Sequence, residues 1–469
     1  MNRREPRERN CMDNLKMKMR LERETALTGS MNDAYLFVEV EAPREDVETE
    51  RKTQALEVAL VIDVSGSMAG APIEAAKEAA ARLIDGIREE DKATLVTFDS
   101  EVKTVCELMK MTTRNRKRMV DAIKSLEPGS MTALHGGWRQ AAQELLRSGS
   151  AAVRRVVLLS DGHANVGVTN PHTLGREAAE LAQEGVYTTC VGIGDGYSTM
   201  QLQAIAENGG GRLHDAERPH EIVEVVTAEL REVVKTTAEN VRFELGFPSR
   251  ARVTCLSGYP ANFADGAVTF QLGSMMASGK REAVLRLRFS ERFREPDVEI
   301  QGAARWRRPG EDADIITEEQ MVSLHFGPEA LAPRSEEDSE RIAKALLAHL
   351  VRAATELNRE HDWRGLRRLA KYELLSALEL CEPYESLHGI ANNLVHLFAT
   401  AQRPIRERSR KEMALAHYKG ARMEADCRVE KRAHWSEFLD SGSSGPLSAK
   451  IENVKKWMSE GDGDPHFGG

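Results

Sequence analysis

Between about residue 55 and residue 235, short apolar runs alternate with stretches of helical periodicity. The runs are "ALEVALVIDV", "KATLVTFD", "VRRVVLLSD", "VYTTCVGIGD" and "RLHDA". Between and after them come "APIEAAKEAAARLIDGI", "TALHGGWRQAAQELLRSG", "NPHTLGREAAELAQEG", "STMQLQAIAENGGG" and "RPHEIVEVVTAELREVV". In the first of these, Ile73, Ala76, Ala80, Leu83, Ile84 and Ile87 share one helical face. Strands that are apolar throughout must be covered on both faces, and joining them through helices makes them parallel. The pattern therefore predicts a doubly wound, mostly parallel α/β sheet, with "EVKTVCEL" as a half-exposed strand beside it.

The flanks have a different rhythm. "AYLFVEVEAP", residues 34 to 43, reads as one strand, with Tyr35, Phe37 and Glu39 on one face and Leu36, Val38 and Val40 on the other. After residue 236, "AENVRFELGF", "GAVTFQL", "REAVLRLRFS", "DVEIQGAARWR" and "QMVSLHF" are short β runs separated by turns, as in an antiparallel sandwich. A lone strand before the α/β unit has open edges. It is expected to join the later strands, so that the α/β unit is inserted in the β-domain. From residue 334 the chain turns helical, and "SEEDSERIAKALLAHLVRAATEL" opens with a serine cap and an acidic first turn. The organisation expected is a flexible tail over 1–25, the first β-domain strands over 26–50, the α/β domain over 52–235, and a sandwich-like domain over 236–330. A helical region over 334–440 and a linker with a short amphipathic helix over 441–469 complete it.

Composition narrows the function classes. The net charge of -9 opposes nucleic acid as the main partner, because phosphate binding needs a basic face. The six cysteines, at 11, 106, 190, 255, 381 and 427, are scattered, which fits neither a disulfide framework nor a structural zinc site. The basic N-terminus has no apolar stretch behind it, and no apolar run is long enough for a membrane span, so a cytoplasmic protein is expected. Oligomeric state is not legible.

Three loops at strand ends or helix starts carry the chemistry. They are Asp63-Val64-Ser65-Gly66-Ser67, Gly129-Ser130-Met131-Thr132 and Ser160-Asp161-Gly162. Ligands of open α/β sheets bind at the carboxyl ends of the strands. The loops offer carboxylates and hydroxyls, all hard oxygen donors, which suit a Mg²⁺-like ion that keeps several waters. Mn²⁺ or Ca²⁺ would accept the same donors. An open coordination position would take an incoming carboxylate. The bland alternative for any single loop is helix capping.

D-x-S-x-S after the first strand, a threonine before a helix and Asp-Gly after a buried strand resemble the von Willebrand factor type A domain and its metal-ion-dependent adhesion site. "DVSGSMAG", "MTALHGGW", "LLSDGHANVG" and "VGIGDGYSTMQLQAIAENGGG" are similar to prokaryotic members, so a bacterial source is expected. The resemblance covers roughly residues 52 to 235. It implies that Ser65, Ser67 and Thr132 coordinate by hydroxyl oxygens. It also implies that Asp63 and Asp161 act mainly through bound water, and that a protein partner supplies Asp or Glu. It further implies a second arrangement open to the last helix, "EIVEVVTAELREVV". Where many members have a second glycine before the threonine, this chain has Ser130 and Met131.

Asp99 and Asp195 are expected in turns or caps, His135 and His163 in surface or packing roles, and Asn165 in a turn. Ser65 lacks the G-x-S-x-G setting of a nucleophile elbow, and no P-loop motif occurs. The expected function is a non-enzymatic, metal-dependent protein-interaction module. The alternatives are a metal-assisted hydrolase using His163 or His135 as base, and a scaffold whose metal site is vestigial.

Overall fold

The structure is a computed structural model and describes residues 14–28, 32–43, 55–149, 152–161, 164–194, 199–216, 236–247, 251–264, 266–311, 313–328, 333–405, 409–410, 413 and 447–459. Three units follow from the strand pairing. The α/β unit holds β4 (Leu56–Asp63), β5 (Lys92–Phe98), β6 (Val102–Lys110), β7 (Val153–Ser160), β8 (Val186–Ile193) and β9 (Gly210–Ala216). Their order is β6-β5-β4-β7-β8-β9, and only the β5–β6 pair is antiparallel. Around this sheet lie α1 (Ala71–Gly86), α2 (Thr113–Lys124), α3 (Leu134–Arg147), α4 (Pro171–Gln183) and α5 (Thr199–Asn208).

Every residue of the central strand β4 is buried. Leu56, Val58, Leu60 and Ile62 pack with α1 and α2, whereas Ala59 and Val61 pack with α3, α4 and α5. This two-sided burial is why the strand reads as a continuous apolar run. Helix α2 was not expected. Its sequence, TRNRKRMVDAIK, buries only Met119 and Ile123. Two apolar contacts in so charged a segment leave little periodicity to detect, and the helix starts on the Thr112 side chain, which accepts the Asn115 N–H.

The second unit is a pair of sheets. One runs β1 (Lys16–Leu21), β3 (Asn32–Glu41), β14 (Lys280–Phe289), β11 (Ala251–Cys255). The other runs β12 (Ala261–Ala264), β13 (Ala267–Met276), β10 (Thr236–Gly246), β15 (Asp297–Arg307), β17 (Gln320–Gly327), β2 (Thr25–Leu27), with β16 (Ile315–Ile316) beside β15. Strand β3 pairs with β14 from Asn32↔Phe289 to Glu41↔Lys280, so the early strand does join those after the α/β unit. The tail expected over 1–25 is corrected by β1 and β2. In KMKMRL, Met17 and Leu21 are buried while Lys16 and Lys18 are exposed, a half-buried edge strand guarded by lysines. The charged residues had masked its alternation.

The third unit is helical: α6 (Glu336–Arg359), α7 (Trp363–Leu369), α8 (Leu375–Cys381), α9 (His388–Ala401) and α10 (Leu447–Ser459). The first β sheet lies between the second sheet and these helices. Leu36, Val38 and Val40 of β3 enter the core between the sheets, and Tyr35 and Phe37 enter the core beneath the helices. Arg20 pairs with Asp338, Arg286 and Arg288 with Glu373, and Arg341 with Glu39 and Glu282, fastening helices to sheet. The terminal amphipathic segment docks on this unit: Leu447, Ile451 and Val454 of α10 are buried in the helical core. The charge-rich helix expected from about 404 to 439 falls almost wholly outside the described residues, as does the last helix expected in the α/β domain. No described helix is long and apolar enough to cross a membrane.

Where the α/β unit meets the second sheet, Arg155 reaches Ser274 Oγ at 3.1 Å and lies over the Tyr187 ring at 4.5 Å. Arg307 donates to the Gln183 carbonyl at 2.7 Å.

Candidate metal centre

β4 and β7 end side by side at the carboxyl edge of the parallel sheet, and their last residues begin the site. Asp63 is fully buried. Its Oδ1 accepts the Ser65 N–H at 2.8 Å, which folds the chain back into the Gly66–Met68 turn. Its Oδ2 accepts the Ser160 hydroxyl at 2.6 Å. Ser65 Oγ and Ser67 Oγ are 3.1 Å apart, and Ser67 Oγ donates to Asp161 Oδ1 at 2.9 Å. Four of the five expected ligands thus form one connected group. Ser65 is buried at its floor, and Ser67 is exposed at its mouth.

Thr132 belongs to the loop that opens α3 and is 4 % exposed. Gly66 N–H donates to the Ser130 carbonyl at 3.0 Å, tying the first loop to the second. A Cβ on Gly129 would lie 1.9 Å from Asp99 Oδ2, so that position needs glycine for close approach. Asp99 is the turn residue it was expected to be: its Oδ1 accepts the Glu101 N–H at 2.8 Å, and its carbonyl accepts the Ala133 N–H at 2.7 Å.

Two positioning residues escaped sequence reasoning. Asn165, expected only in a turn, accepts the Thr132 N–H on Oδ1 at 2.9 Å, and its own N–H donates to the Thr132 carbonyl at 3.2 Å. It locks the second loop to the third. Gln201 of α5 accepts the Ala164 N–H at 3.0 Å and donates to the Thr169 carbonyl at 2.8 Å, holding the loop that carries Asn165. The available signal was weak: an amide beside a motif, and a polar residue among the apolar ones of a helix. His135 Nε2 lies 2.9 Å from Glu177 Oε2, and its ring stands edge-on to Trp138. Gly162, His163 and Asp195 lie outside the described residues.

The electrostatics are one-sided. Burial pushes the Asp63 carboxyl up to about 6 against the opposing hydrogen bonds from Ser160 and Ser65, and the nearby Asp161 charge adds to the rise. Burial also raises Asp161, against its hydrogen bond from Ser67. The described loop residues 63–70, 99–102, 128–133, 161 and 164–170 include Asp63, Asp99, Glu101 and Asp161 but no lysine or arginine, and Glu101 is paired at 3.5 Å with Lys103, just beyond them in β6. Among the described residues no group of three or more His, Cys, Asp or Glu side chains converges. A set of two carboxylates and three hydroxyls fits a hard cation with bound water, not a soft or nitrogen-seeking metal. A cation there would favour the ionised carboxylates that burial alone disfavours.

Comparison with known proteins agrees with the architecture. Residues 57–228 match the family of the von Willebrand factor type A domain. Over 167 residues the chain is 34% identical to uncharacterized protein sll0103 of Synechocystis sp., covering 35% of this chain and 39% of that protein. It is 32% identical over 165 residues to the human inter-alpha-trypsin inhibitor heavy chain H3, covering 33% of this chain and 18% of the relative. The chain therefore spans well under half the length of these relatives. The solved structure of a von Willebrand factor type A protein from Catenulispora acidiphila superposes with a TM-score of 0.63 at 16% identity, over 88% of this chain and 98% of that one. The likeness extends beyond the α/β unit to the sheets and helices around it, and at this identity it speaks for the fold alone. The chain carries a von Willebrand factor type A fold, with antiparallel sheets and C-terminal helices added to it.

Proposed function

We propose that this protein is a metal-dependent protein-interaction module. Asp63, Ser65, Ser67, Thr132 and Asp161 would hold a divalent cation, Mg²⁺ by preference with Mn²⁺ or Ca²⁺ accepted. An Asp or Glu side chain of a partner protein would complete its coordination. The observation that carries this reading is the joining of two burial-raised carboxylates to Ser65 and Ser67 in loops without a described basic residue. The bound cation would supply the positive charge that these loops lack. Asp63, fixed by Ser160 and the Ser65 amide, orients the floor of the site, while Ser67 and Asp161 face the partner.

We favour a non-enzymatic role over hydrolysis: Ser65 lacks the G-x-S-x-G setting of a nucleophile elbow, and among the described residues the hydrogen-bonded group at the strand ends is built of hydroxyls and carboxylates without a histidine.

Two measurements test the proposal. Titration with Mn²⁺, followed by electron paramagnetic resonance, should show one site in the full chain that is lost in Asp161→Ala. Affinity capture from the native lysate should retain a protein in Mg²⁺, but neither in EDTA nor with the variant. An identical captured set under all three conditions would remove the metal site from recognition and leave the scaffold reading.

A further inference from the structure

The large apolar side chains that the α/β unit leaves exposed are not scattered. Among its described residues they are Met131, 50% exposed, and Val102, 36% exposed. Both stand on the loops of the candidate metal centre. Met131 immediately precedes Thr132, and Val102 opens β6 at the end of the sheet where β5 finishes. The two loops are bonded to each other: Ser100 Oγ lies 2.6 Å from Ser130 Oγ and accepts the Met131 N–H at 3.4 Å. Val102 is seated against the bare backbone of α3, since a Cβ on Gly136 would come within 3.0 Å of its Cγ2. The rest of the exposed rim is small or polar, with Gly66, Ser67, Ala69, Gly70, Gly129 and Ser130 beside Pro128 and Asn165, and its one charged side chain is Glu101, next to Val102.

Small rim residues let a polypeptide come close, and an exposed apolar step beside a binding centre marks contact area. The described loops contain no basic side chain to grip the partner's carboxylate, and Lys103, the residue after Val102, lies 3.5 Å from Glu101. A cation takes any accessible carboxylate, so discrimination has to come from what lies beside it. Resting on the metal-site reading above, we propose that Met131 and Val102 form the apolar half of the recognition surface. The partner is a polypeptide segment in which the coordinating Asp or Glu is flanked by a bulky aliphatic or aromatic residue that packs on these two side chains.

The test uses the full chain and two synthetic peptides, one with glutamate between leucines and one with glutamate between glycines. Binding is followed by NMR titration in Mg²⁺ and again in EDTA. In Mg²⁺ the leucine-flanked peptide is expected to bind roughly five- to tenfold more tightly, the scale of one buried aliphatic contact. Met131→Ser should remove most of that preference, with Val102 keeping the remainder, and the glycine-flanked peptide should bind the variant as it binds the unmodified protein. Asp161→Ala should abolish both. Equal, Mg²⁺-dependent affinities in the unmodified protein would overturn the apolar rim while leaving the metal site standing. If neither peptide depends on Mg²⁺, the metal reading falls and this inference with it. Met131 is exposed and makes no core contact, so a thermal melt should be unchanged in Met131→Ser, and a lowered melt would count against the assignment.

Discussion

Buried charge is treated in opposite ways at two places in this molecule. At the seam between the first β sheet and the helices, acids and bases are paired within the chain. Arg20 holds Asp338 through two hydrogen bonds of 2.6 and 3.0 Å and draws that carboxyl below its usual range, chiefly by hydrogen bonding. Arg288 grips Asp33 with two contacts of 2.7 Å, and Glu373 is shared between Arg286 and Arg288. At the carboxyl ends of β4 and β7 the carboxylates meet only hydroxyls and amides, and burial raises both. The seam is electrically closed and serves cohesion. The strand ends carry no basic partner for Asp63 or Asp161 among the described residues, and burial leaves both carboxyls raised.

The largest effect should come from breaking the closed side. Glu373→Ala strands Arg286, which is 5% exposed, and should cost about 3 kcal/mol in a urea titration, as for other half-removed buried pairs. Metal affinity should not change, because Glu373 lies in the helical unit. The open side should respond with the reverse sign. The folded-state value of Asp63, about 6, lies above the ordinary carboxylate value, so the stability linked to its proton is present below about pH 4 and is lost as pH rises through 6. In EDTA, unfolding free energy should fall by roughly 2–3 kcal/mol over that window, since each tenfold gain in proton affinity on folding corresponds to about 1.4 kcal/mol. Asp63→Asn should flatten the profile, and saturating Mg²⁺ should restore the stability lost at neutral pH. A metal-free protein indifferent to pH between 4 and 7 would erase the contrast between the two regions.

Gly129→Ala sharpens the comparison from the side of geometry. Its methyl group would collide with Asp99, so the second loop must shift, with a cost of about 1–3 kcal/mol and weakened Mn²⁺ binding. The smallest effect is expected from Asn165→Ala, which removes the acceptor of the Thr132 N–H. Mn²⁺ affinity should drop roughly tenfold, the worth of one hydrogen bond. Asn165→Asp, which keeps the acceptor oxygen, should recover most of it. Equal losses in both variants would mean that Asn165 does not act through that bond.

Much of this was legible along the chain. β4 and β7 announce themselves as apolar runs because they are covered on both faces, and D-x-S-x-S is written in consecutive residues. β1 was not legible, because its alternation is written in methionines between lysines and an arginine, and it was expected to be a loose tail. Helix α2 has two buried residues and therefore almost no pattern. Asn165 and Gln201 are ordinary polar residues until the fold brings one against Thr132 and the other against Ala164.

The sequence by itself determined the parallel α/β unit, the positions of its three loops and the oxygen chemistry they offer, because periodicity and loop motifs are local properties of the chain. Only the tertiary structure decided which face of β3 meets which core, which acids are neutralised within the chain, and what holds Thr132 in place. Each of those depends on partners brought together from distant parts of the chain: Asp338 is paired with Arg20 across 318 residues, whereas Asp63 and Asp161, whose loops meet across 94 residues, find only hydroxyls and amides. Compensation of a buried charge is set by what the fold places within about 4 Å of it, and no local pattern records that.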